Sequence, residues 1–211
     1  TIEKGITNLS GTTYYSTFLG CVVDVMSLSI ESKQIVTGSF EFLGMTAPPG
    51  SGSTIDNAGG YSEAPADAVM NGTSNVGTIT VDGSAATEKF KSISLEIGNN
   101  LRGKDAMGIE GFFDIGTGTI QVTGTLMVYF LDNTFVNKIR NHTSISLDFY
   151  IQDDNGNRMY FFLPNVKLNQ GDPVIEGINT DVMVETEFQA IRDATTGITV
   201  AVDFVPAALL A

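Results

Sequence analysis

Ser92-Ile93-Ser94-Leu95-Glu96-Ile97 and Thr119-Ile120-Gln121-Val122-Thr123-Gly124-Thr125-Leu126 decide the fold. Polar and apolar residues alternate through the first segment and through the early part of the second. Side chains on a strand point to opposite faces in turn, so a period of two marks a sheet with one buried and one solvated face. Ser27-Leu28-Ser29-Ile30-Glu31 and Thr37-Gly38-Ser39-Phe40-Glu41-Phe42 repeat the pattern, which antiparallel sheets commonly carry. The apolar faces hold Leu28, Ile30, Phe40, Phe42, Ile93, Leu95, Ile97, Ile120, Val122 and Leu126, and are expected to pack on the domain interior. The polar faces hold Ser27, Ser29, Glu31, Thr37, Ser39, Glu41, Ser92, Ser94, Glu96, Gln121, Thr123 and Thr125, with no Lys or Arg among them. Ordinary solvated faces mix both signs, and lysine is common on sheet edges.

Further along the chain, residues 144–151 and 158–163 flank Asp153-Asp154-Asn155-Gly156-Asn157, where Asn-Gly between two apolar runs signals a hairpin. Residues 181–191 and 198–204 flank Ala194-Thr195-Thr196-Gly197 and suggest a second hairpin. Residues 133–140 read as one helix. Asp132 or Asn133 can cap it, Phe135, Val136 and Ile139 share a face, and Lys138 and Arg140 suit its C-terminal end. Asn141 is placed to close it. Between 44 and 88 the composition shifts. Pro48-Pro49-Gly50-Ser51-Gly52-Ser53 is linker-like, Gly59-Gly60, Pro65 and Asn71-Gly72 follow, and only 77–82 reads as a strand, with Asp82-Gly83 as its turn. The expectation is one domain over 1–211, with 44–88 inserted as a long loop or arm of the kind that serves function or disorder.

The 211 residues suffice to bury a core; 42% are hydrophobic and only 17% charged, with 23 Gly. The formal charge of −13 and the lack of a basic cluster argue against gripping nucleic acid by its phosphates. A single cysteine, Cys21, excludes an intrachain disulfide or a multi-cysteine zinc site. Phe18-Leu19-Gly20-Cys21 has the shape of a lipoprotein cleavage site, but the residues before it are polar and carry no basic start and apolar run. No apolar run is long enough to cross a bilayer, and no membrane partner is expected.

Val36-Thr37-Gly38-Ser39 and Val122-Thr123-Gly124-Thr125 are nearly one word, each following an alternating strand with the polar series Ser, Ser, Glu. A duplicated strand-turn-strand unit and chance both account for so short a match. Two readings of the four polar faces also stay open. They are the outer faces of a monomeric sandwich, or they join with copies in a ring whose closure removes the exposed edges and turns these faces to a channel. Such a wall is wetted by hydroxyls and made negative by glutamates. It would repel a duplex carrying about one charge per 1.7 Å of axis, so that DNA slides without sticking.

Several motifs carry no chemistry. The Asp153–Asn157 run lacks the spacing and distal Glu of a calcium loop. Gly116-Thr117-Gly118 lacks the third glycine of a phosphate-binding loop. His142, the sole histidine, has no indicated nucleophile or carboxylate beside it and is expected at the helix end. Asn99 and Asn100 are expected to bond a turn. The Asn-x-Ser/Thr triplets at Asn8, Asn71 and Asn141 arise readily by chance.

Taken in order, Ile93-Ser94-Leu95-Glu96-Ile97-Gly98-Asn99-Asn100-Leu101-Arg102-Gly103, Ile115-Gly116-Thr117-Gly118, Val122-Thr123-Gly124-Thr125-Leu126-Met127-Val128-Tyr129-Phe130, the short helix, and Tyr160-Phe161-Phe162-Leu163-Pro164-Asn165-Val166-Lys167-Leu168 resemble the major tail tube proteins of long-tailed bacteriophages (siphophages). The resemblance spans about 36–192, is weak over 45–88, and rests on the order of segments. It implies an antiparallel β-sandwich or split barrel flanked by one helix. It implies a non-enzymatic virion protein whose rings, hexameric by resemblance, assemble in the host cytoplasm and stack into a hollow tube. The tube surrounds a tape-measure protein, meets tail-end proteins, and passes DNA transiently and without specificity. The twelve polar-face residues would then line the lumen, and a register error of one residue would invert that list. The acids Asp172, Glu176, Asp181, Glu185 and Glu187 are expected outside. Pro48, Pro49 and Tyr61 of the long arm, with Arg102 and Lys104 in a loop, are the candidates for ring-to-ring contact. A nearby alternative is the tube of a contractile injection or secretion system. A different class is a β-sandwich module that binds carbohydrate or calcium, which would want clustered exposed aromatics; there is no Trp. An enzyme is not expected, because no paired-carboxylate or metal set accompanies the lone histidine, and no cofactor is implied.

Overall fold

The computed structural model describes residues 1–54, 68–175 and 177–210; Gly59-Gly60, Pro65, Tyr61 and Glu176 fall outside them. The strands are β1 (Ile2–Thr7), β2 (Thr13–Phe18), β3 (Val22–Glu31), β4 (Thr37–Leu43), β5 (Thr80–Val81), β6 (Ser84–Ala85), β7 (Phe90–Gly98), β8 (Arg102–Lys104), β9 (Asp114–Gly116) and β10 (Gln121–Tyr129). After helix α1 (Asn133–Arg140) come β11 (Ser144–Gln152), β12 (Arg158–Leu168), β13 (Pro173–Val174), β14 (Met183–Ala190) and β15 (Ala201–Val205). The protein is mostly β and antiparallel with one α-helix, consistent with a β-sandwich, as the alternation requires.

The chain forms two compact units. The first comprises Thr1–Met26, Phe40–Asp67 and Asn99–Thr119; the second comprises Ser27–Ser39, Ala68–Gly98 and Ile120–Ala211. The second holds the core, in which Val122, Leu126, Leu147, Phe161, Leu163 and Val166 are wholly enclosed. Phe149 and Phe161 face each other across β11 and β12 with ring centroids 5.1 Å apart. The strand order is β4-β3-β7-β10-β14-β12-β11-β5-β6, with β13 added on β14 and β15 on β12.

Pro164 explains how β12 serves two neighbours. Proline offers no N–H to a ladder and is found in sheets at edges and bulges. Here Ile145 pairs Val166 and Leu147 pairs Leu163, so Pro164 and Asn165 together oppose Ser146 alone, a bulge. Beyond it, Val166–Leu168 pair with β14; before it, Arg158–Phe162 pair with β15. This corrects the expected second hairpin. Asp193 does cap the 194–197 turn, its Oδ2 accepting from the Thr195 and Thr196 amides. The chain leaving that turn then pairs with β12 instead of returning along β14.

The helix spans the residues that periodicity marks. Asp132 Oδ1 accepts from the Thr134 amide at 2.7 Å, Asn141 closes the C-terminus, and Phe135, Val136 and Ile139 are buried. His142 follows at φ 49°, its amide bonded to the Ile139 carbonyl. Asp82-Gly83 turns β5 into β6 with both residues at positive φ, the geometry that suits a two-residue hairpin. Asp82 also accepts from the Ser146 amide at the bulge and pairs with Lys138 of the helix at 3.0 Å. One turn residue thereby joins three elements. At the other turn, Asp153 accepts from the Asn157 amide and side chain, so its carboxylate serves the hairpin itself.

The first unit holds no hydrophobic side chain of the buried core among its described residues. It contains the β1–β2 hairpin and the short β8–β9 pair. Residues Thr46 and Ser51 bridge to Leu19 and Tyr15 along the outer side of that hairpin. Phe40 and Phe42, expected in the core, are 57% and 49% exposed, and Ile120 is exposed too. Alternation puts them on one face but cannot supply a layer to cover that face. The far half of β4 lies in the unit that has none.

Candidate functional site

The site is built by adjacent strands of the second unit. Register alone brings its residues into rows: Glu96–Thr123–Gln189, Ser94–Thr125–Glu187 and Ser92–Met127–Glu185 run across β7, β10 and β14. Directly opposed residues share a face, and the buried partners Ile93, Leu95, Val122, Leu126, Val184 and Phe188 occupy the other. On the next hairpin, Ser27 and Ser39 hydroxyls bond at 2.7 Å.

The first two rows line a concave trough of about 630 Å³. Ser27, Ser29, Thr37, Ser39, Ser94, Glu96, Thr123 and Thr125 all border it, so eight residues picked from alternation converge on one surface. Glu31, Ser92 and Gln121 belong to the same unit but do not border the trough, and Glu41 belongs to the other unit. Asn169, Glu187 and Gln189, which the alternation of the first four strands does not mark, complete its wall. Glu185 and Glu187, expected on the outside, share the face of Met127 and Thr125 through β14. The signal was present, since Glu185-Thr186-Glu187-Phe188-Gln189-Ala190 alternates as cleanly as the other strands.

Among the described residues no Lys or Arg borders the trough. Lys167 pairs with Gln189 at the end of the first row, but its ammonium donates to the His142 carbonyl at 2.8 Å. Ser94 accepts from the Thr125 amide at 3.0 Å, which fixes that hydroxyl in place. The arrangement offers hydroxyls, amides and carboxylates on a rigid sheet, with no paired nucleophile and base. Among the described residues no group of three or more His, Cys, Asp or Glu is placed to hold a metal.

The ring-to-ring candidates are scattered. Pro48 and Pro49 are exposed beside β2. Tyr61 lies outside the described residues. Arg102 and Lys104, expected in a loop, instead form β8, paired with β9. Lys104 is engaged by Asp114 across that pair. Asn100 donates to the Thr119 carbonyl in the loop before β10, whereas Asn99, expected to bond a turn, donates to the Val23 carbonyl of β3.

The chain thus combines a small-polar, concave sheet face in its second unit with a first unit whose apolar side chains are exposed. A model of the phage tail tube protein family matches residues 1–190, and the chain belongs to that family. It is therefore a structural component of a phage tail that self-assembles into a tube. A search of curated proteins found no match.

Proposed function

We propose that copies of this chain close into rings, hexameric by resemblance, that stack into the tail tube of a long-tailed phage. The trough forms the wall of a lumen through which DNA is delivered. The observation that carries the reading is the trough itself, a concave sheet face of serines, threonines and glutamates without a cation at its border. The wall then comprises five strands, with Glu187 and Gln189 joining the residues read from alternation. The charge on the wall repels phosphates, so the duplex meets no counterion-releasing contact to hold it.

The uncovered first unit supports assembly. Ile6, Leu9, Tyr14, Phe18, Val22, Phe40, Phe42, Met107, Ile109 and Phe113 are all exposed on it. Covering all that is still exposed of these side chains would hide on the order of 1,000 Å² of surface, comparable with the ~800 Å² per partner of a stable interface. A tape-measure protein fills the lumen before DNA, tail-end proteins cap it, the chain catalyses nothing, and assembly takes place in the host cytoplasm.

Negative-stain electron microscopy of the purified protein over a range of concentrations tests the reading. Rings or hollow tubes are expected. Compact monomers at every concentration, persisting when preformed tail tips are added as initiators, would overturn it.

A further inference from the structure

The first unit carries a knob and a socket at opposite ends of one hairpin. Leu9 sits in the turn between β1 and β2 and is fully exposed, 109% on the scale where an extended chain is 100%. A leucine in that position is normally free to move, but this turn is tied. Asn8 Oδ1 accepts from the Ser10 amide, the Ser10 hydroxyl and the Thr12 amide at 2.7–3.0 Å. The Gly11 amide adds a bond to the Asn8 carbonyl, and the Thr7 and Thr13 hydroxyls bond just below. The tip is thus ordered by its own polar atoms while its apolar side chain stands exposed.

At the other end of the hairpin, where Ile2 pairs Phe18, lies a cavity of about 280 Å³. It is an open depression: Phe18, Met45 and Ala47 give its apolar side, and Thr46 and Glu110 its polar side. Seven residues of strand separate Ile2 from Leu9, roughly 20 Å at 3.3 Å per residue. Leu9 therefore cannot reach the cavity of its own chain.

We propose that Leu9 of one copy seats in the Phe18–Met45–Ala47 cavity of the next copy. The inference rests on the tube reading above and names a contact within it. The occupant is a second copy because the family builds a tube from this chain and because the exposed apolar surface of this unit matches one partner's share of a stable interface. In a tube each copy gives its knob to one neighbour and takes the knob of another, so the contact is heterologous. It propagates from copy to copy instead of closing a pair. Binding also costs little ordering entropy, since the tip is already fixed before it docks.

Two experiments test the contact. Leu9→Ser leaves every bond of the Asn8 turn in place and removes the knob; it should raise the protein concentration needed for assembly by about tenfold or more, while Leu9→Met keeps assembly near wild type. In a Cys21→Ser background, Leu9→Cys with Ala47→Cys should give a ladder of disulfide-linked multimers on oxidation of tubes. Monomers, and either cysteine alone, should give none. Tubes that form equally well with Leu9→Ser, or double-cysteine tubes that give no ladder, would overturn the contact and leave the tube reading standing. Wild-type protein that never forms tubes would remove both.

Discussion

Gly124 is where the residue scale decides most. A Cβ there would lie 2.1 Å from the Ser94 carbonyl oxygen and 2.5 Å from the Phe188 ring. The ring covers the glycine from β14, so the core is closed by an aromatic where a side chain is missing. Gly38 stands against the Ser27 carbonyl in the same way, at 3.0 Å. The two hairpins therefore correspond through Ser27 and Ser94, two residues from the match that the bare words suggest. Gly124→Ala should lower stability by about 1–3 kcal/mol, read as a lower urea midpoint with unchanged slope. Gly52→Ala, with open space around it, should stay within about 0.5 kcal/mol. Acid sensitivity also belongs to single residues. Asp132, Asp153 and Asp193 are held below the usual carboxylate range, by the Thr134 amide, the Asn157 side chain and the Thr196 amide respectively, and Asp114 by its bond to Lys104. The unfolded chain takes up these protons first, so the stabilisation is complete above about pH 4 and is lost as pH falls further. Urea midpoints should match at pH 7 and pH 5 on this account and drop at pH 3. Asp153→Asn should make part of that drop disappear.

At the scale of elements, Asp82 couples a turn, a bulge and a helix. Asp82→Ala leaves the Ser146 amide and Lys138 without their acceptor and places a Cβ-bearing residue at φ 54° without a side chain that favours it. A loss of about 1–2 kcal/mol is expected, with faster hydrogen exchange at the Ser146 amide; Asp82→Asn should recover most of it. Legibility divides along the same lines. The helix from 133 to 140 was readable to the residue because cap, apolar stripe and basic end agree. β7, β10 and the trough residues on them were readable because alternation specifies a face. The path of β15 was not, because its turn chemistry looks like a hairpin while its partner is chosen by the bend at Pro164. The N-terminal hairpin was missed because Ile2–Thr7 does not alternate cleanly. That Glu187 and Gln189 lie beside Thr125 and Thr123 was not legible, because which strand neighbours which is a property of topology, not of local pattern.

For the whole molecule, the proposed lumen makes charge a transport property. Glu96→Lys with Glu187→Lys changes two exposed side chains on one face and leaves the buried rows intact. Tubes of normal length should still form, while phage titre on complementation should fall at least tenfold as the new cations bind phosphates. Normal titre with the variant in the tails would remove the slippery-wall account. The first unit carries a different consequence. If tube contacts cover its apolar side chains as proposed, the unassembled subunit is the form that presents apolar surface to the cell. Overproduction is then more hazardous to an infected cell than scarcity. Timing of synthesis, holding by chaperones and rapid capture at a growing end become parts of the folding problem, and a tail left unfinished becomes a source of aggregates.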